Sequence, residues 1–177
     1  MTRNIDESVA LPSAVQSLIG KPLYREVSDV LVEQGAIENF CAAVENGNPL
    51  YWDEGYAQEF AGGRTAPASM LSAWFRPHIW KPGADGEQHA LQAHFDLKEL
   101  LALPEAVIAS NELSFGQPAK VGERLQSYQC IRSISEPKTT KLGHGRFWVV
   151  DVVVENADGE FIGSDSYTAF GYRRPAQ

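Results

Sequence analysis

The clearest periodic pattern lies in residues 32–44, where apolar side chains recur at positions i, i+3, i+4 and i+7. The residues of this stripe are Ile37, Phe40, Cys41 and Val44. The segment Asn46-Gly47-Asn48-Pro49 follows, and Pro49 disfavours the helical conformation in the residue before it. The pattern therefore predicts an amphipathic helix that ends near residue 46 and buries Cys41 as a core thiol.

Two shorter helices are predicted after this one. Asp53 is placed to cap a helix over residues 54–60, and Gly62-Gly63 ends that helix. Pro67 then suits the first turn of a third helix that runs to Phe75. Residues 77–104 are rich in Pro and Gly, and we expect a strand over residues 89–95 and one helical turn over residues 97–101 there.

The last seventy residues are strand-like. Residues 107–115, 124–134, 146–155 and 160–172 are rich in β-branched and aromatic side chains, and Gly-containing turns separate them. In the third segment Trp148 lies on one apolar face and Phe147 on the other. We therefore expect one face of the sheet to meet a helix and the other to meet a partner or further protein.

Helices followed by antiparallel strands indicate an α+β fold, in which a sheet of about five strands wraps around a long central helix. Alternation in residues 23–30 supplies the first strand. Residues 1–22 are interpreted as an N-terminal arm, and residues 23–174 as a single domain.

Composition and charge argue against several classes of function. The 177 residues carry a net charge of -8, so we expect no binding to nucleic acid or to an anionic membrane. No apolar run is long enough to cross a bilayer, and the N-terminus does not resemble a secretory signal. We expect a cytoplasmic protein in which Cys41 and Cys130 are reduced.

The stretch Val-Glu-Asn-Gly-Asn-Pro-Leu-Tyr-Trp-Asp over residues 44–53, with Gly62-Gly63 and Ala66-Pro67 after it, resembles the MaoC-like dehydratase and hydratase family. Residues 118–125 are similar to a strand entry of that family. The resemblance covers residues 23–172 and implies a single hot-dog fold and an acyl thioester ligand. Residues 138–148 and 167–174 resemble the N-terminal, fatty-acid-synthase-type dehydratase branch, which commonly supplies a non-catalytic partner for a second hot-dog chain.

The resemblance also locates the catalytic positions. The family uses Asp and His five residues apart, and these positions fall on Asn46 and Tyr51 here. An amide does not accept a proton at neutral pH, and a phenol with a pKa near 10 is a poor base there. Since losing one positioned acid or base costs on the order of 10² to 10⁴ in rate, we expect this chain to be catalytically inactive by itself.

Elements that could hold a thioester remain. Backbone N–H groups at Ala68 and Ser69, at the start of the central helix, either bind the thioester carbonyl or face water. Asn48 and Pro49 either contact substrate or only end a helix. Trp74 lines a wide acyl slot or belongs to the core or to an interface, and the same alternatives hold for Phe75 and Trp80.

Basic residues offer a second hypothesis. Lys138, Lys141 and Arg146, with His144, form a basic hairpin that binds coenzyme A phosphates or is simply solvated. Arg173-Arg174 admits the same two interpretations.

The remaining histidines do not suggest a metal. His94 and Asp96 form an acid and base pair or, more simply, an exposed ion pair. His78 and His89 lack metal-ligand spacing, so we expect no metal and no cofactor.

Two hypotheses follow. In the first, the chain is an acyl-thioester-binding, non-catalytic subunit of a heteromeric enoyl-CoA hydratase or 3-hydroxyacyl dehydratase in lipid, fatty-acid or steroid side-chain metabolism, and its partner carries the Asp/His pair. In the second, it is a stand-alone homodimer that binds acyl-CoA without hydrating it.

Overall fold

A computed structural model describes residues 10–76, 82–83 and 90–175. Within these residues six strands form one antiparallel sheet in the order β1-β3-β5-β6-β2, and the short β4 pairs with β5. The strands are β1 (Pro22–Leu31), β2 (Glu105–Phe115), β3 (Arg124–Ile134), β4 (Lys138–Thr139), β5 (His144–Glu155) and β6 (Phe161–Arg173). The α+β architecture with an antiparallel sheet is confirmed.

The helices are concentrated in the first half of the chain, as the apolar periodicity predicts. They are α1 (Ser13–Gln16), α2 (Gln34–Ala43), α3 (Pro49–Trp52), α4 (Glu54–Ala61), α5 (Leu71–Phe75) and α6 (Gln92–Leu100), with a 3-10 turn over Ala68–Met70 before α5. In α2, Ile37 and Cys41 are fully buried. The predicted amphipathic helix and its core thiol are therefore confirmed, but Val44, the last residue of the predicted stripe, follows the helix and is 56% exposed.

The central helix is shorter than the long helix that the sequence predicts. Met70 has φ -88° and ψ 5° at the junction between the 3-10 turn and α5. At the other end Arg76 is extended, with φ -72° and ψ 127°, which suits a residue that precedes proline. Regular α-helical geometry consequently covers only Leu71–Phe75 in this part of the described chain.

One face of the sheet carries the core. Along β5 the alternate residues Trp148, Val150, Val152 and Val154 are 0–2% exposed. Val152 and Val154 pack in a cluster with α2 and α5, whereas Trp148 and Val150 pack in a second cluster with α1 and α6. The helices therefore cover one face of the sheet from end to end.

The opposite face of the sheet is only half-buried. Phe147 stacks on Phe170 at a centroid distance of 4.6 Å, and the intervening residues of β5 remain partly accessible. Partial exposure of apolar side chains on this face matches the predicted pattern.

The segment before β2 differs from the prediction. The expected strand over residues 89–95 is wrong for its described part, because α6 spans Gln92–Leu100. Ala93 and Leu97, four residues apart, are both fully buried, so one helical stripe packs on the sheet. The predicted turn at residues 97–101 is the end of this longer helix, and His89 lies outside the described residues.

The described part of the N-terminal arm packs against the domain. Val15 of α1 is fully buried in the cluster that contains Trp148. In the described ranges, every helix is too short or too polar to cross a bilayer.

Candidate acyl-binding site

The segment between α2 and α3 holds the first family position, Asn46. Its side-chain oxygen accepts a hydrogen bond from the backbone N–H of Asn48 at 3.1 Å. The side chain of Asn48 in turn accepts from the N–H of Leu50 at 3.0 Å and caps α3, which Pro49 begins. Both amides therefore hold the local backbone, and neither provides a carboxylate for proton transfer.

Tyr51 holds the second family position and is half-buried. Its side chain packs against the core cluster that includes Leu71 and Trp74 of the central helix. Burial raises the pKa of Tyr51, and the neighbouring Cys41 adds to this effect. The Tyr51 hydroxyl is thus even less suited to act as a base near pH 7 than a phenol in water.

The start of the central helix lies beside the end of β2. Ala68 and Ser69 are exposed in the 3-10 turn, whereas Trp74 is 2% exposed and Phe75 is 5% exposed. Trp74 and Phe75 therefore belong to the core, and Trp80 lies outside the described residues. Within the described chain the indole N–H of Trp74 has no hydrogen-bond partner.

A small cleft joins these elements. Its volume is ≈ 20 Å³, about the space of one water molecule. The cleft is lined by Ala66, Pro67, Ala68, Leu71, Trp74, Phe115, Gly116, Gln117, Ala119 and Ile162. The structure thus brings Ala68 and Trp74 to one cleft, but this cleft alone does not accommodate an acyl chain.

A polar network lies on the same face of the sheet as this cleft. The sequence pattern does not predict it. Asp165 is 2% exposed and accepts hydrogen bonds from Tyr167 and Asn111. Arg76, directly after α5, donates to the Tyr167 hydroxyl at 3.1 Å and lies 4.0 Å from Asp165. Burial and Asp165 raise the pKa of Tyr167 to about 12. Asp165 pairs with Val152 and Tyr167 pairs with Val150, so both side chains lie on the face of the sheet that carries the core.

His94 and Asp96 do not interact as predicted. His94 is buried and accepts from the indole N–H of Trp148 at 3.2 Å, whereas Asp96 accepts from Tyr24 and from Gln92. The two residues lie on a helix and not on a strand. Side chains two positions apart on a helix point in different directions. The predicted exposed ion pair is therefore wrong, as is the acid and base pair.

The basic residues of the hairpin separate in the structure. The Lys138 ammonium lies over the ring of Phe147, 5.8 Å from its centroid, and Lys141 is exposed. Arg146 is 8% exposed and lines a pocket together with Arg173 and Arg174. Of the three proposed phosphate ligands, the structure places only Arg146 in a pocket.

The described residues contain no cluster of three or more His, Cys, Asp or Glu side chains that could hold a metal ion. His78 lies outside the described ranges, as does His89.

Comparison with known proteins places this geometry in a family. A family model described as "FAS1-like, dehydratase domain region" matches residues 17–164. A curated protein of Thermomonospora curvata, "Probable enoyl-CoA hydratase alpha subunit", is 28% identical over 144 residues, which are 77% of this chain and 44% of the relative. The chain thus spans less than half of the length of that relative.

Solved structures share the fold. A chain of the ChsH1-ChsH2 complex from Mycobacterium tuberculosis has a TM-score of 0.70 and 22% identity, with 93% of this chain and 92% of that chain covered. The MaoC-like dehydratase from Rhodospirillum rubrum has a TM-score of 0.56 and 21% identity, with coverage of 89% and 94%. The HadBC (3R-hydroxyacyl-ACP dehydratase) complex from Mycobacterium tuberculosis has a TM-score of 0.55 and 18% identity, with coverage of 85% and 96%. Because the family model matches well over half of the sequence, this chain belongs to the FAS1-like dehydratase domain region family, and its fold is the hot-dog fold of the MaoC-like dehydratases.

Proposed function

We propose that this chain is an acyl-thioester-binding, non-catalytic subunit of a heteromeric enoyl-CoA hydratase or 3-hydroxyacyl dehydratase. The observation that carries the proposal is the state of the two family positions. Asn46 is engaged in a backbone turn, and Tyr51 packs in the core with a raised pKa. Hydration of an enoyl thioester needs a base for water and a proton donor for C2, so a second chain supplies both.

The names of related proteins support a partner. The curated relative is named as an alpha subunit, and two of the solved structures are complexes by title, ChsH1-ChsH2 and HadBC. By analogy, a second hot-dog chain with the Asp/His pair assembles with this one. The substrate is then an acyl-CoA or acyl-carrier thioester of lipid, fatty-acid or steroid side-chain metabolism, and the free thiols of Cys41 and Cys130 suit a cytoplasmic enzyme.

The free edge of β2 is where we place the partner. β2 pairs with β6 on one side only, and its eleven residues contain no proline. Val107, Ile108 and Phe115 are 39%, 49% and 51% exposed. A long edge strand with accessible apolar side chains is a template for pairing with another strand.

The other edge strand, β1, is a poorer template. Its pairing with β3 has two irregularities, and Tyr24 within it has a positive φ of 52°. Irregular edges of this kind discourage pairing with a further strand. The two edges therefore differ, and the difference favours assembly through β2.

The cleft at Ala68 lies next to the proposed interface. Phe115, Gly116 and Gln117 continue from the end of β2 and line the cleft. A partner docked on β2 would add a second wall to a cleft that holds only about one water molecule in the single chain. The backbone N–H groups of the exposed residues Ala68 and Ser69 then serve as donors to the thioester oxygen.

The test is reconstitution. The chain is purified alone and together with a hot-dog chain that carries the Asp/His pair, and hydration of crotonyl-CoA and of longer enoyl-CoAs is measured. We expect no turnover by the chain alone and turnover by the mixture. Turnover by the lone chain would refute the proposal. A stable homodimer that binds acyl-CoA and does not associate with the second chain would instead support the hypothesis of a stand-alone acyl-CoA-binding protein.

A further inference from the structure

A large pocket opens at the end of the sheet that is remote from the Ala68 cleft. Its volume is ≈ 500 Å³, within the range of small-molecule sites. It lies between the end of α6, the β4–β5 hairpin and the end of β6. Its lining residues are Leu101, Leu103, Pro137, Thr139, Thr140, Gly143, His144, Gly145, Arg146, Arg173, Arg174 and Pro175.

The pocket is basic although the whole chain has a net charge of -8. Three arginines and one histidine are among its lining residues, and the described lining contains no carboxylate. Glu105 pairs with Arg174 at 3.2 Å, and its side chain is 41% exposed. The concentration of guanidinium groups at one site makes it attractive to an anion.

Two glycines allow the hairpin to approach β6. A Cβ atom on Gly143 would lie 2.0 Å from the carbonyl oxygen of Arg173, and one on Gly145 would lie 1.8 Å from that of Gly171. Larger residues at these positions would push the hairpin away from β6. The close approach is what brings Arg146 of β5 next to Arg173 of β6.

The arginines are also held in place. Arg146 donates from one terminal nitrogen to the carbonyl of Ser135 at 2.8 Å. Arg173 donates from Nε to the carbonyl of Ala102, also at 2.8 Å. A guanidinium fixed by a backbone acceptor loses less entropy when it binds a ligand.

We propose that this pocket binds the phosphate groups of a nucleotide. Guanidinium forks match the geometry of phosphate oxygens, and the hydroxyls of Thr139 and Thr140 add polar groups to the wall. The apolar side chains of Leu101 and Leu103 offer a surface for the planar base. The ligand is therefore phosphate-bearing, with a planar base.

The pocket is independent of the acyl site in the same chain. Gly145 at the pocket and Val154, which pairs with Gly163 near α5, are nine residues apart on β5. At about 3.3 Å per residue this separation is about 30 Å. The proposal consequently stands whether or not the chain is a hydratase subunit. Its phosphate could belong to a free nucleoside diphosphate or to coenzyme A.

The test is calorimetric titration of the full chain with ADP, adenosine 3′,5′-bisphosphate and adenosine. We expect both nucleotides to bind and adenosine to bind at least about tenfold more weakly, with affinity that falls as salt rises. Tighter binding of the bisphosphate indicates coenzyme A as the source, and tighter binding of ADP indicates a free nucleotide. Absence of nucleotide binding, or equal binding of adenosine, would overturn the proposal.

Variants locate the site. Arg173→Gln combined with Arg174→Gln should weaken nucleotide binding by about tenfold or more, and Glu105→Gln should strengthen it, because a competing carboxylate is removed. Arg25→Gln, at an exposed arginine that pairs with Glu155, is the matched control and should leave affinity unchanged. Equal affinity of the double variant and the wild type would place the nucleotide elsewhere. Thermal melts of all four proteins confirm that each is folded.

Discussion

The indole N–H of Trp148 donates a hydrogen bond to Nδ1 of His94 across 3.2 Å, joining β5 to α6 inside the core. His94 is 8% exposed and Trp148 is 1% exposed. The direction of the bond requires Nδ1 to be without a proton, so the imidazole is neutral when the bond forms. The contact therefore depends on pH.

The pKa of His94 is lowered from 6.5, first by burial and then by Lys98. At pH values between the lowered pKa of folded His94 and 6.5, the unfolded chain binds more protons than the folded chain. The contribution of neutral His94 to the free energy of unfolding is therefore fully present above pH 6.5 and is lost as the pH falls through the lowered pKa. The unfolding midpoint in urea should thus decrease on acidification, and it should decrease less in His94→Gln, whose amide oxygen can still accept from Trp148. An equal decrease in both proteins would contradict this assignment.

A close contact of Trp148 gives a second prediction. A Cβ atom on Gly171 would lie 2.0 Å from Cη2 of the indole, inside a fully packed region. Gly171→Ala should destabilise the fold by ~1–3 kcal/mol, because the ring must move. Gly35→Ala is the control, since Gly35 lies in α2 with open space around its Cα, and it should stabilise by ~0.4–1 kcal/mol. Denaturant unfolding of both variants measures the difference, and equal effects would refute the packing argument.

The buried Asp165 gives a third prediction. Asp165→Asn leaves Arg76 without its charged neighbour and weakens the bond from Tyr167, so we expect a loss of ~1–3 kcal/mol in the free energy of unfolding. Glu54→Gln is the control, because the Glu54 side chain is 81% exposed and pairs with Arg64 at 3.5 Å. That change should cost less than ~1 kcal/mol. A loss at Asp165 no larger than that at Glu54 would show that the network near α5 contributes little to stability.

The two edges of the sheet can be compared directly. Ile108→Lys on β2 should weaken association with the second hot-dog chain by at least about tenfold, because a charge is buried in the proposed interface. Val27→Lys on β1 introduces the same charge at a residue that is 60% exposed and should leave association unchanged. Analytical ultracentrifugation of each mixture gives the affinities. Loss of association in Val27→Lys alone would move the interface to β1.

Much of the fold follows from local patterns. The stripe through Ile37 and Cys41 predicts α2, and the apolar alternation around Val150 predicts β5, because both segments bury one face against a single core. Residues 92–95 carry a weaker local pattern. Their buried side chains include a histidine, and the Pro- and Gly-rich surroundings suppress the helical signal.

The candidate site was predictable only in part. The replacement of the family's Asp and His by Asn46 and Tyr51 is evident from the sequence, because the two positions are only five residues apart. The network of Arg76 with Asp165 and the pocket formed by Arg146 and Arg173 depend on strand pairing over long sequence separations. Such contacts have no local signature.

The most direct test of the central claim uses the reconstituted complex with this chain changed at both family positions. Asn46→Ala combined with Tyr51→Phe leaves the partner's Asp/His pair intact, and kcat/KM for an enoyl-CoA is compared with that of the unchanged complex. A non-catalytic subunit gives a value within about twofold of the unchanged complex, whereas a decrease on the order of 10² to 10⁴ would show that these two side chains take part in the chemistry.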